Sequence, residues 1–165
     1  MESQQLSLRP PVAADGIRVN RLIAQCPPLD TNSVYCNLLQ CSHFAQTSVA
    51  AEIEGELVGF VSGYIEPEQP DTLFIWQVAV GEKARGMGLA TRMLQSILQR
   101  DACQKVSYID TTITEDNRAS WALFERLAQK LGAELNHSVQ FDREKHFDGE
   151  HATEMLVRVG PFKQA

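Results

Sequence analysis

The chain has 165 residues, 44% of them hydrophobic and 22% charged, with a formal net charge of −6. That length has room for one domain with a substantial core, and the acid excess argues against nucleic acid as a main partner, because holding phosphates needs a basic face. No apolar run approaches the ~20 residues of a membrane span and no charged-then-apolar leader is evident, so no membrane partner and a cytoplasmic location are expected. Cys26, Cys36, Cys41 and Cys103 form no C-x-x-C pair and have no histidine at zinc-finger spacing. They read as reduced thiols, mostly of the core, and no metal is expected.

Residues 1–5 read as a loose end and residues 6–9 as a short strand, stopped by Pro10 and Pro11. Asp15 is placed to cap a helix that carries Ile17, Val19, Leu22 and Ile23 inward as far as Gln25. Pro27 and Pro28 end it. A second helix starts at Thr31, Asn32 or Ser33 and turns Tyr35, Leu38 and Leu39 inward. The loop between them is stiffened by its prolines and holds Asp30 just outside the second helix. Residues 47–53 and 57–64 alternate as strands and are joined across Glu54-Gly55-Glu56, a hairpin signal. Pro67, Pro70 and Asp71 make the next connection, and residues 73–80 continue the meander.

That third strand runs into Arg85-Gly86-Met87-Gly88-Leu89-Ala90. From Leu89 a helical stripe of Leu89, Ala90, Met93, Leu94, Ile97 and Leu98 opposes Thr91, Arg92, Gln95, Ser96, Gln99 and Arg100. A strand, a glycine turn and a helix start present unpaired N–H groups at the positive end of a helix dipole, which suits a pyrophosphate. A bare tight turn also needs glycine, so the pair alone leaves both readings open. Residues 106–111 form another strand. Asp116 or Asn117 then caps a helix bearing Trp121, Phe124, Leu127, Ala128 and Leu131, which Gly132 closes. Residues 134–141 and 153–159 are a last pair of strands, separated by a polar loop with His146, Asp148, Glu150 and His151. A dinucleotide fingerprint, with Asp110 as the ribose acid, fits worse, because Thr91 stands where the third glycine belongs.

Arg85-x-x-Gly88-x-Ala90 after a strand resembles the acetyl-CoA signature of the GCN5-related N-acetyltransferases, whose element order also matches this one. The resemblance implies an α+β fold with a central mixed, mostly antiparallel sheet flanked by helices on both faces, formed by one domain over residues 1–165. It also implies acetyl-CoA as co-substrate. Within that family, four segments read together, Pro28-Leu29-Asp30-Thr31-Asn32-Ser33, Val58-Gly59-Phe60-Val61-Ser62-Gly63-Tyr64, the stretch from Pro70 to Val78, and Asp116-Asn117-Arg118-Ala119-Ser120, resemble the L-2,4-diaminobutyrate acetyltransferases of ectoine biosynthesis. This resemblance implies a small diamino acid as the acceptor and a homodimer.

Acetyl transfer to an amine needs the neutral amine. With a pKa near ~10.4, deprotonating an alkylammonium at pH 7 costs about 4 to 5 kcal/mol. The resemblance assigns Asp30 to the ammonium and Tyr35 and Trp76 to the pocket wall; Glu115 is a further candidate for contact with the acceptor, and Glu115 and Asp116 are weaker candidates for the base, since a carboxylate at a helix start is ordinarily a cap. His151 is the candidate base, since histidine titrates near neutrality. The backbone of Val78, Ala79 and Val80 would hold the pantetheine arm, with the Val78 N–H toward the thioester oxygen. Arg85, Gly86, Met87, Gly88, Leu89 and Ala90 would take the phosphates, and Asn117 would lie near the arm. Taken alone, Asp30 is also an ordinary acid at a helix start, and His151 an ordinary loop histidine. Many relatives have a tyrosine seven positions after that asparagine, able to protonate the leaving thiolate; here it is Phe124. Two other functions stay open: acetylation of another small amine or a protein N-terminus, and a CoA-binding module without turnover.

Overall fold

A computed structural model describes residues 5–164, so the expected loose end lies outside the described residues except for Gln5. The elements are β1 (Leu6–Arg9), α1 (Gly16–Ala24), α2 (Val34–Ser42), β2 (Val49–Ile53), β3 (Glu56–Glu66), β4 (Gln69–Val80), α3 (Leu89–Leu98), β5 (Tyr108–Thr114), α4 (Arg118–Leu131), β6 (Leu135–Phe141) and β7 (Glu154–Val159). The strands form a mixed sheet in the order β1-β2-β3-β4-β5-β7-β6. The chain divides into two compact units, one reaching to Tyr64 and including Trp76–Gln104, the other comprising Ile65–Ile75 and the chain from Lys105 onward.

In the first unit β1 runs antiparallel to β2, from Leu6 opposite Ile53 to Arg9 opposite Ala50. β2 and β3 form the expected hairpin, with Glu54 (φ 52°) and Gly55 (φ 79°) as its two turn residues. Successive left-handed residues match the strand twist of a type I′ turn. Val19, Leu22 and Ile23 of α1 pack with Cys26, Cys41, Phe60 and Ala79 in a buried cluster. On the neighbouring residue of β3, a Cβ at Gly59 would meet Leu89 and Met93 of α3 at 3.0 Å, so the strand is bare where that helix crosses it. Gly59 and Phe60 point to opposite faces, as successive strand residues must. Helices therefore cover both faces here.

In the second unit the first half of β4 pairs in parallel with β5, from Thr72 opposite Tyr108 to Ile75 opposite Thr111. β5 and β6 both run antiparallel to β7. Helix α4 begins with Asn117 accepting from the Ser120 N–H at 3.3 Å. It ends at Gly132, whose left-handed φ of 62° turns its N–H back to the Ala128 and Gln129 carbonyls. Leu123, Phe124, Leu127 and Ala128 are its buried side.

Several expected details shift. Tyr35 does not turn inward: it is 70% exposed, and α2 instead buries the polar Asn37 and Gln40 with Cys41. Ile17 is 41% exposed, because the side of α1 facing the core is set by Gly16, Val19, Leu22 and Ile23. The fifth strand starts at Tyr108 and not at 106, and Thr47 sits in a 3₁₀ turn ahead of β2. Asp15 is not a side-chain cap of α1. A 3₁₀ turn over Ala13–Asp15 leads into that helix, and the carboxylate turns back to the Val12 N–H at 2.8 Å.

Asp15 also binds Arg9 through both oxygens, at 2.7 and 2.9 Å, and Arg18 at 3.2 Å, while Glu52 on β2 contacts both arginines. The hydrogen bond from Arg9, opposed by burial, holds the Asp15 carboxyl below the usual carboxylate range. A group depressed in the folded state stabilises fully above its unfolded value, here near 3.8, and that stabilisation is lost as the pH falls toward the depressed value. Asp15→Asn should therefore cost about 3 kcal/mol at pH 7, since it leaves two guanidinium groups short of a buried partner. Urea unfolding of both proteins should show a constant gap from pH 5 to 7 and a narrowing gap below pH ~3.8. A gap that does not narrow there would remove Asp15 as its source.

Candidate active site

The first unit assembles the glycine turn and the loop bearing Asp30. Gly86 and Gly88 have φ of 82° and 69°, and nothing lies within 4 Å of a Cβ built at either position. The glycines thus serve a left-handed backbone, and the space over them is open. Gly88 is the N-cap of α3, so the N–H groups of Leu89, Ala90 and Thr91 have no intrahelical acceptor. Arg85 folds back to donate its Nε–H to the Val80 carbonyl at 3.4 Å, the same carbonyl that the Cys26 thiol reaches at 3.5 Å. Gly81 donates to the Val58 carbonyl at 2.8 Å and fixes the end of β4. Ala79 is buried, Val78 and Val80 are half-buried, and Arg85, Gly86, Met87 and Gly88 are exposed.

Asp30 lies on an exposed loop ahead of α2, and Ser33 caps that helix by accepting from the Cys36 N–H at 3.1 Å. The loop is held from β4: the Gln77 amide donates to the Asp30 carbonyl at 2.8 Å and accepts from Asn32 at 3.0 Å. Next to Gln77, Trp76 is 42% exposed and packs edge-on to Tyr64 and Phe44, at centroid distances of 5.9 and 6.3 Å. The sequence gives Gln77, Asn32, Phe44 and Tyr64 no role in the site, although Asn32, Tyr64 and Gln77 fall in the segments that carry the resemblance. A side-chain amide leaves no periodic signal, and isolated aromatics read as ordinary core.

The second unit carries the other candidates. Glu115 and Asp116 are exposed, and with Val139, Asp142, Arg143 and Thr153 they line an open cleft of about 440 Å³. Asp116 accepts from the Thr114 hydroxyl at 2.9 Å, and Asn117 is occupied as the helix cap. Backbone N–H groups of Lys145 and Glu144 hold the Asp142 carboxyl below its ordinary range and shape the turn after β6. His151 stacks on Phe147 at 4.5 Å between centroids. Its Nδ1 lies 2.7 Å from the Ala152 carbonyl. A carbonyl only accepts, so Nδ1 is the donor in that contact, and Nε2 lies 3.9 Å from Glu154. Phe124 is 2% exposed within α4.

Asp110 is no ribose ligand. It is buried, and Arg158 Nη1 reaches both its oxygens at 3.0 and 3.1 Å while the guanidinium lies 3.9 Å over the Tyr108 ring. Burial, then hydrogen bonding and charge from Asp110, push the neighbouring Glu66 carboxyl up to about 7. Among the described residues no cluster of three or more His, Cys, Asp or Glu could hold a metal ion, and no helix is long and apolar enough to cross a membrane.

The family model for the acetyltransferase (GNAT) family matches residues 18–128. The L-2,4-diaminobutyric acid acetyltransferase of Methylotuvimicrobium alcaliphilum is 63% identical over 158 residues, 96% of this chain and 92% of that protein. The enzyme of the same name from Vibrio parahaemolyticus is 50% identical over 161 residues, 98% of this chain and 88% of that one. Among solved structures, the diaminobutyrate acetyltransferase of Paenibacillus lautus, in complex with its substrate L-2,4-diaminobutyric acid and coenzyme A, superposes with a TM-score of 0.92 at 38% identity, covering 99% of each chain. Family model, sequence relatives and structure agree, and the chain belongs to the acetyltransferase (GNAT) family, among the L-2,4-diaminobutyric acid acetyltransferases.

Proposed function

We propose that the protein transfers the acetyl group of acetyl-CoA to the γ-amine of L-2,4-diaminobutyrate, giving Nγ-acetyl-L-2,4-diaminobutyrate. The observation that carries this is the likeness, over 99% of both chains, to a protein whose complex contains that diamino acid and coenzyme A. A role in ectoine biosynthesis, as a cytoplasmic homodimer of one N-acetyltransferase domain, belongs to the same reading.

The residues present suit the coenzyme. A helix start with three N–H groups lacking intrahelical acceptors, under open space at Gly86 and Gly88, can receive a pyrophosphate. When bound, acetyl-CoA supplies the activated acyl carbon. Arg85, Gly86, Met87, Gly88, Leu89 and Ala90 would hold its phosphates, the backbone of Val78, Ala79 and Val80 its pantetheine arm, and Asn117 would stand beside that arm. The Val78 N–H would polarise the carbonyl. Asp30 would attract the cationic acceptor, with Tyr35, Trp76 and Glu115 contributing to its recognition. His151 would take the proton from the amine at Nε2 as the new C–N bond forms and the C–S bond breaks.

Three outcomes test this reading. A diamino acid longer by one methylene places its distal nitrogen past the attack position, and a ~1 Å misplacement can cost on the order of a hundredfold. Ornithine and lysine should accordingly be poor acceptors, and NMR of the product should show the acetyl group on the γ-nitrogen. Equal use of ornithine, or acetylation at the α-nitrogen, would leave only the broader acetyltransferase reading, and no CoA release with any amine would leave a binding module. Gly88→Val forces a β-branched residue to φ 69°, and should raise the acetyl-CoA KM roughly tenfold or more. A folded variant with unchanged acetyl-CoA affinity would place the phosphates elsewhere. Finally, His151→Ala should lower kcat by about a hundredfold with little change in either KM, the usual scale for loss of a general base. Full turnover at every pH in stopped-flow assays would transfer the role to water or a carboxylate.

A further inference from the structure

The side-chain amides of five residues of the first unit form a connected hydrogen-bond network that passes through the Asn32 backbone carbonyl and donates from Asn20 both outward, toward the Asp30 loop, and inward, toward Gln40. Gln77 Nε2 donates to the Asp30 carbonyl at 2.8 Å, and Gln77 Oε1 accepts from Asn32 Nδ2 at 3.0 Å. The Asn32 carbonyl accepts from Asn20 Nδ2 at 2.9 Å, and the second hydrogen of that nitrogen goes to Asn37 Oδ1 at 3.0 Å. Asn37 Nδ2 in turn donates to Gln40 Oε1 at 2.9 Å. The direction is fixed throughout. Turning over the amide of Gln77 or Asn37 would set donor against donor at one end and acceptor against acceptor at the other.

The inner end of the chain has no packing rationale. Asn37 and Gln40 are both 0% exposed on a helix face where apolar residues would bury at lower cost, since an amide taken from water must find partners. Gln40 Nε2 finds no partner among the described residues, so this interior is not optimised for stability. The outer end reaches the loop that bears Asp30. The loop around Asp30 has no regular structure of its own, yet three hydrogen bonds reach it from two elements, and Asn32 is held by both its backbone and its side chain. A carboxylate on a wandering loop would lose freedom on meeting a cation, and a loop fixed in advance avoids that cost.

We propose that Gln77 and Asn20 are positioning residues which, anchored on the buried Asn37 and Gln40 pair, fix the Asp30 loop to receive the cationic acceptor, so that they set affinity for the diamine and not the rate of acetyl transfer. This rests on the assignment of Asp30 to the acceptor.

Gln77→Glu keeps the shape and still accepts from Asn32, but has no N–H for the Asp30 carbonyl. Asn20→Ala removes both bonds from α1, and Asn20→Ser restores one donor. In Gln77→Glu and Asn20→Ala the KM for L-2,4-diaminobutyrate should rise roughly five- to tenfold, the scale of one or two part-buried hydrogen bonds, with kcat and the acetyl-CoA KM within about twofold. Asn20→Ser should recover part of that loss, and amide hydrogen exchange over residues 29–33 should quicken in the first two variants. If the wild-type enzyme acetylates the diamine and both variants keep its KM while only their melting temperatures fall, the chain is structural and the positioning role is overturned. A wild-type protein that leaves the diamine untouched fails the assignment of function itself, a different and separately visible result.

Discussion

The left-handed turn at Gly86 and Gly88 is the constraint on which the first unit depends. Two residues with φ of 82° and 69°, separated by a single residue, are costly for anything but glycine. They set the position at which α3 begins. With that start Leu89 and Met93 arrive over Gly59, where β3 is bare and the helix can approach the strand. The same start decides which N–H groups are left without acceptors, and those are the groups suited to an anion. Packing and binding capacity thus follow from one backbone decision. Arg85 adds to it by tying itself back to the Val80 carbonyl, which joins the turn to the end of the strand before it.

Where local chemistry decides structure, the sequence was legible. Glu54-Gly55, Asn117 and Gly132 each announce a turn or a helix end whose requirement is met within a few residues, and each stands where expected. The strand and helix order was readable for the same reason. Val106 is apolar and buried but precedes the fifth strand by two residues, since burial alone does not distinguish a strand from the approach to one. Periodicity points Tyr35 and Ile17 inward, yet a short helix on a sheet buries only the residues its neighbours can reach, and here those are Asn37, Gln40 and Cys41 on α2.

Asp15 shows a different limit. An acid before an apolar helical stripe reads as a cap, and only the fold reveals that Arg9 and Arg18 converge on it with Glu52 nearby. Asp110 and Glu66 behave in the opposite sense: one arginine serves both, so burial wins and the Glu66 carboxyl rises where that of Asp15 falls. Charge counts in a sequence carry no sign of this, since the balance between burial and the hydrogen bonds a carboxyl accepts in the fold decides which way it moves. The glycine turn was legible, its left-handed residues standing where the motif puts them, whereas the amides that hold the Asp30 loop were not, because they meet across more than forty residues of sequence.

Phe124 can be weighed by magnitudes. In the proposed reaction the acceptor amine, with a pKa near ~10.4, must lose a proton at a cost of about 4.6 kcal/mol at pH 7. A departing thiolate whose conjugate acid has a pKa near ~8.5 costs only about 2 kcal/mol if it leaves unprotonated. The base therefore carries more of the burden than the acid. A tyrosine at position 124 would bring a hydroxyl to a side chain that is 2% exposed, and an unpaired buried hydroxyl costs about 1 to 3 kcal/mol. That cost is as large as the most a proton donor could return. Phenylalanine at this position is then consistent with turnover, provided that proton removal from the amine is served well.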